Sequence, residues 1–223
     1  MAQARHGTRE DPLKFTSLFA VLSILALGSI AAPAWADAIP VQNASFEITS
    51  TLIACGSGCF FNFGPIPDWT TTSPGPAGSW HPTSAYPPPD GSFIAYSNGG
   101  TISQTLSTML APNTTYTLIV AVGDRPDGFT NTYTIALDAG GIVLNSRSGS
   151  SAAITPGTFA DQTVTFTTGA SVPAEDLAIV LTSDGQQIDF DNVRLTASTV
   201  PEPSSLSLLA GALGVMFLAL RLR

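Results

Sequence analysis

From Thr114 to Val122 the chain alternates strictly, with Tyr116, Leu118, Val120 and Val122 on one side and Thr115, Thr117, Ile119 and Ala121 on the other. A period of two is the signature of a half-buried β-strand and cannot line one face of a helix. Thr132–Leu137, Ile142–Asn145, Gln162–Thr167 and Leu177–Thr182 repeat the pattern, and Ile39–Ile48, Ser92–Tyr96 and Thr101–Leu106 add three more segments. In Gln187–Leu195, Ile188, Phe190 and Asn192 are set opposite Asp189, Asp191 and Val193. No helical period precedes residue 204. Eight to ten short strands between Gly, Pro, Asn and Asp breaks predict an all-β fold, a jelly-roll β-sandwich. Asp138-Ala139-Gly140-Gly141 reads as a hairpin turn. Pro65–Gly91 carries eight prolines around Trp69, Trp80, His81 and Tyr86, and reads as a long ordered loop.

The two ends have a different grammar. Arg5, Arg9 and Lys14 lead into an uncharged apolar run, which Pro33 breaks before Ala34-Trp35-Ala36. This is the pattern of a signal peptide, with signal peptidase cutting after Ala36 and residues 37–199 forming the mature domain. At the other end Pro201-Glu202-Pro203 precedes an apolar run, 204–220, followed by Arg221 and Arg223. Seventeen helical residues would span about 26 Å, close to the thickness of a bilayer core. This tail, 200–223, resembles the PEP-CTERM sorting signal. The resemblance implies export, a transient membrane anchor, processing by an exosortase-type enzyme, and a final place at the cell surface or in an extracellular polysaccharide matrix or biofilm.

Residues 37–199 hold 13 acidic residues against three arginines and no lysine, so their formal charge is 3 − 13 = −10. Such a surface repels phosphate backbones and excludes nucleic acid as a partner. Cys55 and Cys59 flank Gly56-Ser57-Gly58. In an oxidising compartment two such cysteines pair as a disulfide, the glycines supplying the backbone freedom for a tight ring. Zinc lacks ligands, because His81 is the only histidine of the mature domain.

Asn43-Ala44-Ser45-Phe46-Glu47, Trp69, Gln104-Thr105-Leu106, Tyr116-Thr117-Leu118 and Asp189-Phe190-Asp191-Asn192-Val193-Arg194-Leu195 occur in that order. The series is similar to galactose-binding-domain-like jelly rolls, carbohydrate-binding modules among them. The resemblance implies a structural calcium ion held by Glu47 and Asp191, with Asp189 a third candidate, and a core position for Trp69. Calcium takes six to eight hard oxygens, which carboxylates and carbonyls supply. Trp80, His81 and Tyr86, with Asp90 nearby, are the residue types that bind a sugar, aromatic platforms beside oriented polar groups. Asp124-Arg125 and Asp127, on a Gly-bearing loop after the strongest strand, read as a rim ion pair or as polar ligand contacts.

Catalytic motifs are sparse. There is no Gly-x-Ser-x-Gly elbow, His-Glu-x-x-His pair or phosphate loop, and a lone histidine has no evident serine partner. Carboxylate pairs for a small glycan hydrolase stay open, as does a structural envelope protein without a ligand. The sequence therefore predicts a non-catalytic, exported surface protein, adhesive or carbohydrate-binding, with polysaccharide as its partner.

Overall fold

A computed structural model of the chain describes residues 35–56, 58–72 and 76–200, together with Met216 and Leu220. The leader ahead of Trp35, the Pro201-Glu202-Pro203 motif and nearly all of the segment 204–220 lie outside the described residues. Among those described, no helix is long and apolar enough to cross a membrane.

The strands are β1 (Ala36–Ile39), β2 (Ile53–Gly56), β3 (Cys59–Phe61), β4 (Thr70–Thr72), β5 (Ala77–His81), β6 (Ile94–Ser97) and β7 (Thr101–Met109). They continue as β8 (Thr114–Asp124), β9 (Thr132–Ala139), β10 (Ile142–Ser150), β11 (Thr158–Thr167), β12 (Asp176–Ser183) and β13 (Ile188–Thr199). One sheet runs β11-β8-β13-β6-β5-β3-β2, with β1 also paired to β13, and the other runs β10-β9-β12-β7-β4. All the pairings are antiparallel. This is an all-β, sandwich-like fold of two sheets, and the alternating segments supply its core. Leu118, Val120 and Val122 of β8 and Leu177, Ile179 and Leu181 of β12 are completely buried. Each such side chain contributes roughly 1.5–3 kcal/mol by leaving water. Gly140 and Gly141 both have positive φ, as a two-residue hairpin loop between β9 and β10 requires.

Three expectations change. The strand expected over Ile39–Ile48 stops at Ile39, because Asn43 and Phe46 adopt positive φ and the chain turns. The Asn43 side chain holds that turn, donating to the carbonyl of Ile48 and accepting from its N–H. Second, Pro65–Gly91 is not one loop: it contains β4 and β5. Among the described residues the longest irregular run there is 82–93, which brings Tyr86 onto Asp189 at the outer face of the larger sheet.

The third change concerns β13. Its register against β8 advances three residues, Asp191 to Arg194, for two on β8, Ala121 to Ile119. The extra residue is a β-bulge, with Asn192 at a φ of 47°. Side-chain parity switches there. Ile188 and Phe190 enter the core before the bulge and Val193 and Leu195 after it, so Val193 is a core residue. Asp189 and Asp191 keep the opposite, outer face, yet both are completely buried.

Candidate active site

The outer face of the larger sheet carries its own buried cluster, apart from the core between the sheets. Tyr86, from the 82–93 segment, is 1% exposed and stacks on Phe159 of β11, ring centres 4.8 Å apart. It also packs against Trp80 of β5 at 5.7 Å. Room for the phenol exists because β8 has a glycine beneath it. A Cβ at Gly123 would run into the Tyr86 hydroxyl and the Phe159 ring.

That hydroxyl donates to Asp189 Oδ2 at 3.0 Å, and the Gln187 side-chain amide donates to Asp189 Oδ1 at 2.6 Å. The Arg125 guanidinium in turn donates to Gln187 Oε1 at 2.5 Å and to Asp127 at 2.5 Å, and its carbon lies 5.4 Å from the centre of the Trp80 ring. One hydrogen-bonded line therefore runs from Arg125 through Gln187 and Asp189 to Tyr86. Burial pushes the Asp189 carboxyl up to about 7, opposed by its hydrogen bonds with Gln187 and Tyr86 and by the charge of Arg125. Burial, then the charge of Asp189, push the Tyr86 phenol far above its ordinary range, so it remains a donor. The product is a carboxyl group poised to hold or release a proton near neutrality.

Beside this line a cavity of about 270 Å³ is walled by Phe61, Phe63, Trp80, Arg125 and both cysteines. Tyr96 and Gln187 also reach it, and through the Gln187 amide the cavity adjoins the buried Asp189. Tyr96 is pinned by donating to the Asn62 carbonyl at 2.6 Å. Cys55 and Cys59 are joined as a disulfide, with Cα atoms 5.1 Å apart.

The residues singled out from sequence fall into separate places. Trp80 walls the cavity, and Tyr86 lies beneath, bonded to Asp189. His81 sits apart, its Nδ1 2.8 Å from the Gly58 carbonyl and its ring against Phe60 and Phe93. Asp90 belongs with Asp191 and Glu47: its N–H donates to Asp191 Oδ2, while Glu47 Oε1 accepts from the N–H groups of Ser92 and Phe93. Burial, with Asp90 and Glu47 nearby, raises the Asp191 carboxyl to about 7. Asp189 engages Tyr86 and Gln187 rather than this acidic group. No group of three His, Cys, Asp or Glu side chains able to hold a metal ion is found among the described residues. Asp191, Glu47 and Asp90 are nevertheless the hard-oxygen donors that calcium takes.

Sequence reasoning missed Gln187 and Phe159. It read Arg125 with Asp124 and Asp127 as a rim ion pair or as ligand contacts; Arg125 pairs with Asp127 at 2.5 Å and also walls the cavity. Nothing local showed that the same guanidinium also covers Trp80. The usable signal was Asp189, a carboxyl that alternation placed off the core face.

Comparison with solved structures gives these residues a context. A cyclase from Fischerella sp. TAU in complex with 4-(1H-indol-3-yl)butan-2-one is 28% identical, with a TM-score of 0.61, over 74% of this chain and 98% of that one. The Stig cyclase Fisc from the same organism, in complex with (3Z)-3-(1-methyl-2-pyrrolidinylidene)-3H-indole, is also 28% identical, with a TM-score of 0.61, over 74% and 100%. A further Fischerella sp. TAU cyclase is 29% identical at a TM-score of 0.63, over 76% and 100%. No curated protein matches the chain.

A family model described as HpiC1-like, HpiC1 cyclase, matches residues 37–196. This overturns the expectation of a non-catalytic carbohydrate-binding or adhesive surface protein of PEP-CTERM type, and with it the membrane and biofilm setting drawn from that resemblance. The shared residues misled for a structural reason. Asn43 donates to the Pro67 carbonyl, Trp69 donates to the Asn43 carbonyl, and Gln104 ties Gln42 to Asp68. They brace the framework and do not touch the cavity. Over residues 37–196, the chain belongs to the HpiC1-like family of cyclases.

Proposed function

We propose that this protein is an acid-catalysed cyclase of an apolar substrate bearing an electron-rich aromatic group, with Asp189 as the proton donor. One observation carries the reading: a buried carboxyl group, held by Tyr86 and Gln187, lies behind an aromatic-walled cavity in a member of a cyclase family. The indole ligands of the Fischerella cyclases supply the substrate class.

In this reading the substrate displaces the Gln187 amide and meets the Asp189 carboxyl. The proton moves from Asp189 to a carbon–carbon double bond of the substrate. The aromatic ring attacks the resulting cation, forming the ring-closing bond. Loss of a proton from the attacked ring restores its aromaticity and returns the proton to the carboxylate. The net change is an isomerisation, with no redox partner. Tyr86 donates to the carboxylate formed after transfer, and a charge-assisted bond is roughly twice as strong as a neutral one. The faces of the cavity-lining rings Phe61, Phe63 and Trp80 favour a nearby positive charge, by about 0.5–2 kcal/mol for each well-placed ring.

Glu47 and Asp191, with Asp90 beside them, are the residues that would hold a structural calcium ion. Bound there, it would tie the turn after β1 to β13 and leave the chemistry to Asp189. The leader ending at Ala36 would export the domain to a compartment in which the disulfide persists.

The test is incubation of the full chain in D2O with indoles carrying an unsaturated side chain. The expected product is a cyclic isomer with one deuterium at a new aliphatic carbon, and Asp189→Asn reduces its formation at least 100-fold. Unimpaired turnover by Asp189→Asn overturns the assignment of the acid. Absence of any cyclised product across the panel overturns the substrate class.

A further inference from the structure

We propose that the Cys55–Cys59 disulfide is a positioning element of the candidate active site, holding the Trp80 indole as the wall against which the aromatic part of a ligand rests. The inference deepens the cyclase reading and rests on it for the identity of that ligand.

The tip of the β2–β3 hairpin has little else to hold it. Its strands have four and three residues, and β2, at the end of the sheet, is exposed throughout. Ile53 and Phe60 remain 47% and 40% exposed, so the hairpin contributes little to the core. Two-stranded ribbons without a buried face are marginal in water. The base of the hairpin is anchored by Asn62, which exchanges hydrogen bonds with Ser79 and accepts from Tyr96. Beyond it the links to the rest of the sheet are the pairing of Phe60 with His81 and Phe61 with Trp80 and the contact between His81 and the Gly58 carbonyl. The crosslink closes this hairpin at its tip.

Both cysteines line the cavity, and Cys59 Sγ accepts the Trp80 Nε1–H at 3.4 Å. From there Trp80 packs on Tyr86, and Tyr86 bonds Asp189. Contacts thus run unbroken from sulfur to indole to phenol to acid. With the bridge opened, the hairpin frays from its tip, the Trp80 N–H loses its fixed acceptor, and the Phe61 wall on the same hairpin loosens. The sandwich core is untouched, and a ring this small adds little to global stability.

The experiment titrates the full chain with 4-(1H-indol-3-yl)butan-2-one in three forms: oxidised, reduced with TCEP, and the Cys55→Ser/Cys59→Ser double variant. TCEP is oxidised to its phosphine oxide as the S–S bond takes up two electrons and water supplies two protons, giving two thiols. In parallel, NMR follows the Trp80 indole N–H, identified by its absence from Trp80→Phe. Opening the bridge should weaken binding at least tenfold and shift the Trp80 signal while the melting temperature moves little, and reoxidation should restore both. Equal binding before and after reduction overturns the inference and leaves the cyclase reading intact. Should the oxidised protein fail to bind the probe, the indole reading fails and the Trp80 signal alone decides. An unmoved signal overturns the positioning role in every case. The TCEP arm decides if the double variant does not fold.

Discussion

Replacing Tyr86 with Phe and Asp189 with Asn, singly and together, measures the bond on which the catalytic assignment depends. Both side chains are almost fully buried and their oxygens lie 3.0 Å apart. Tyr86→Phe keeps the ring against Phe159 but removes the donor, leaving the carboxyl with Gln187 alone. Depriving a buried polar group of one partner costs about 1–3 kcal/mol. Asp189→Asn has a smaller effect. Its carbonyl oxygen still accepts from Gln187, while its NH2 faces the phenol oxygen, which must turn to accept, and the change also removes a carboxyl group from a buried site. In the double variant the Asn NH2 faces a hydrocarbon ring. The two changes should therefore couple by about 1 kcal/mol or more, measured by urea unfolding of all four proteins at one pH. Additivity within about 0.5 kcal/mol would falsify the claim that these groups form one unit. Turnover completes the case. Asp189→Asn should lose ring formation while remaining folded, and Tyr86→Phe should lose less, because the proton source survives without its partner.

Gly123→Ala drives a methyl group into the Tyr86 hydroxyl and the Phe159 ring. It should cost about 1–3 kcal/mol by overpacking and weaken binding of the indole ketone, as read by denaturation and calorimetry. Unchanged binding would show that Tyr86 need not sit where it does. Calcium at saturating concentration should raise the melting temperature and EDTA should lower it. At 100 times the dissociation constant the linkage is about 2.7 kcal/mol, and Glu47→Gln should remove most of it. A melting curve indifferent to calcium in the native chain would refute the metal assignment.

Much of the fold was legible in the alternation. β8 and β12 announce themselves because one face of each enters the core and the other does not, and the Gly140-Gly141 turn needs φ values that glycine supplies. β4 and β5 were hidden. They are short and lie in proline-rich chain, and Ala77-Gly78-Ser79 is small because Asn62 packs against the backbone there, where a Cβ on Gly78 would meet its carbonyl. The bulge at Asn192 was equally silent. One residue of register reverses the parity of everything after it, and only pairing with β8 reveals the shift.

The site divides along the same line. Periodicity already set Asp189 on the face away from Phe190, and composition already marked Trp80 and Tyr86 as aromatics in an unusual segment. Sequence order also preserved the bracing residues Asn43, Trp69 and Gln104, which report a framework and carry no information about chemistry. Pairing of Tyr86 with Asp189 spans 103 positions, and the line continues to Gln187 and Arg125. Local pattern governs which face a side chain occupies, since that depends on backbone period alone. Which side chains meet on that face, and whether a carboxyl there is solvated or sealed, depends on strand order and on what covers the sheet. Those are properties of the assembled sandwich, and they distinguish an acid catalyst from a surface carboxylate.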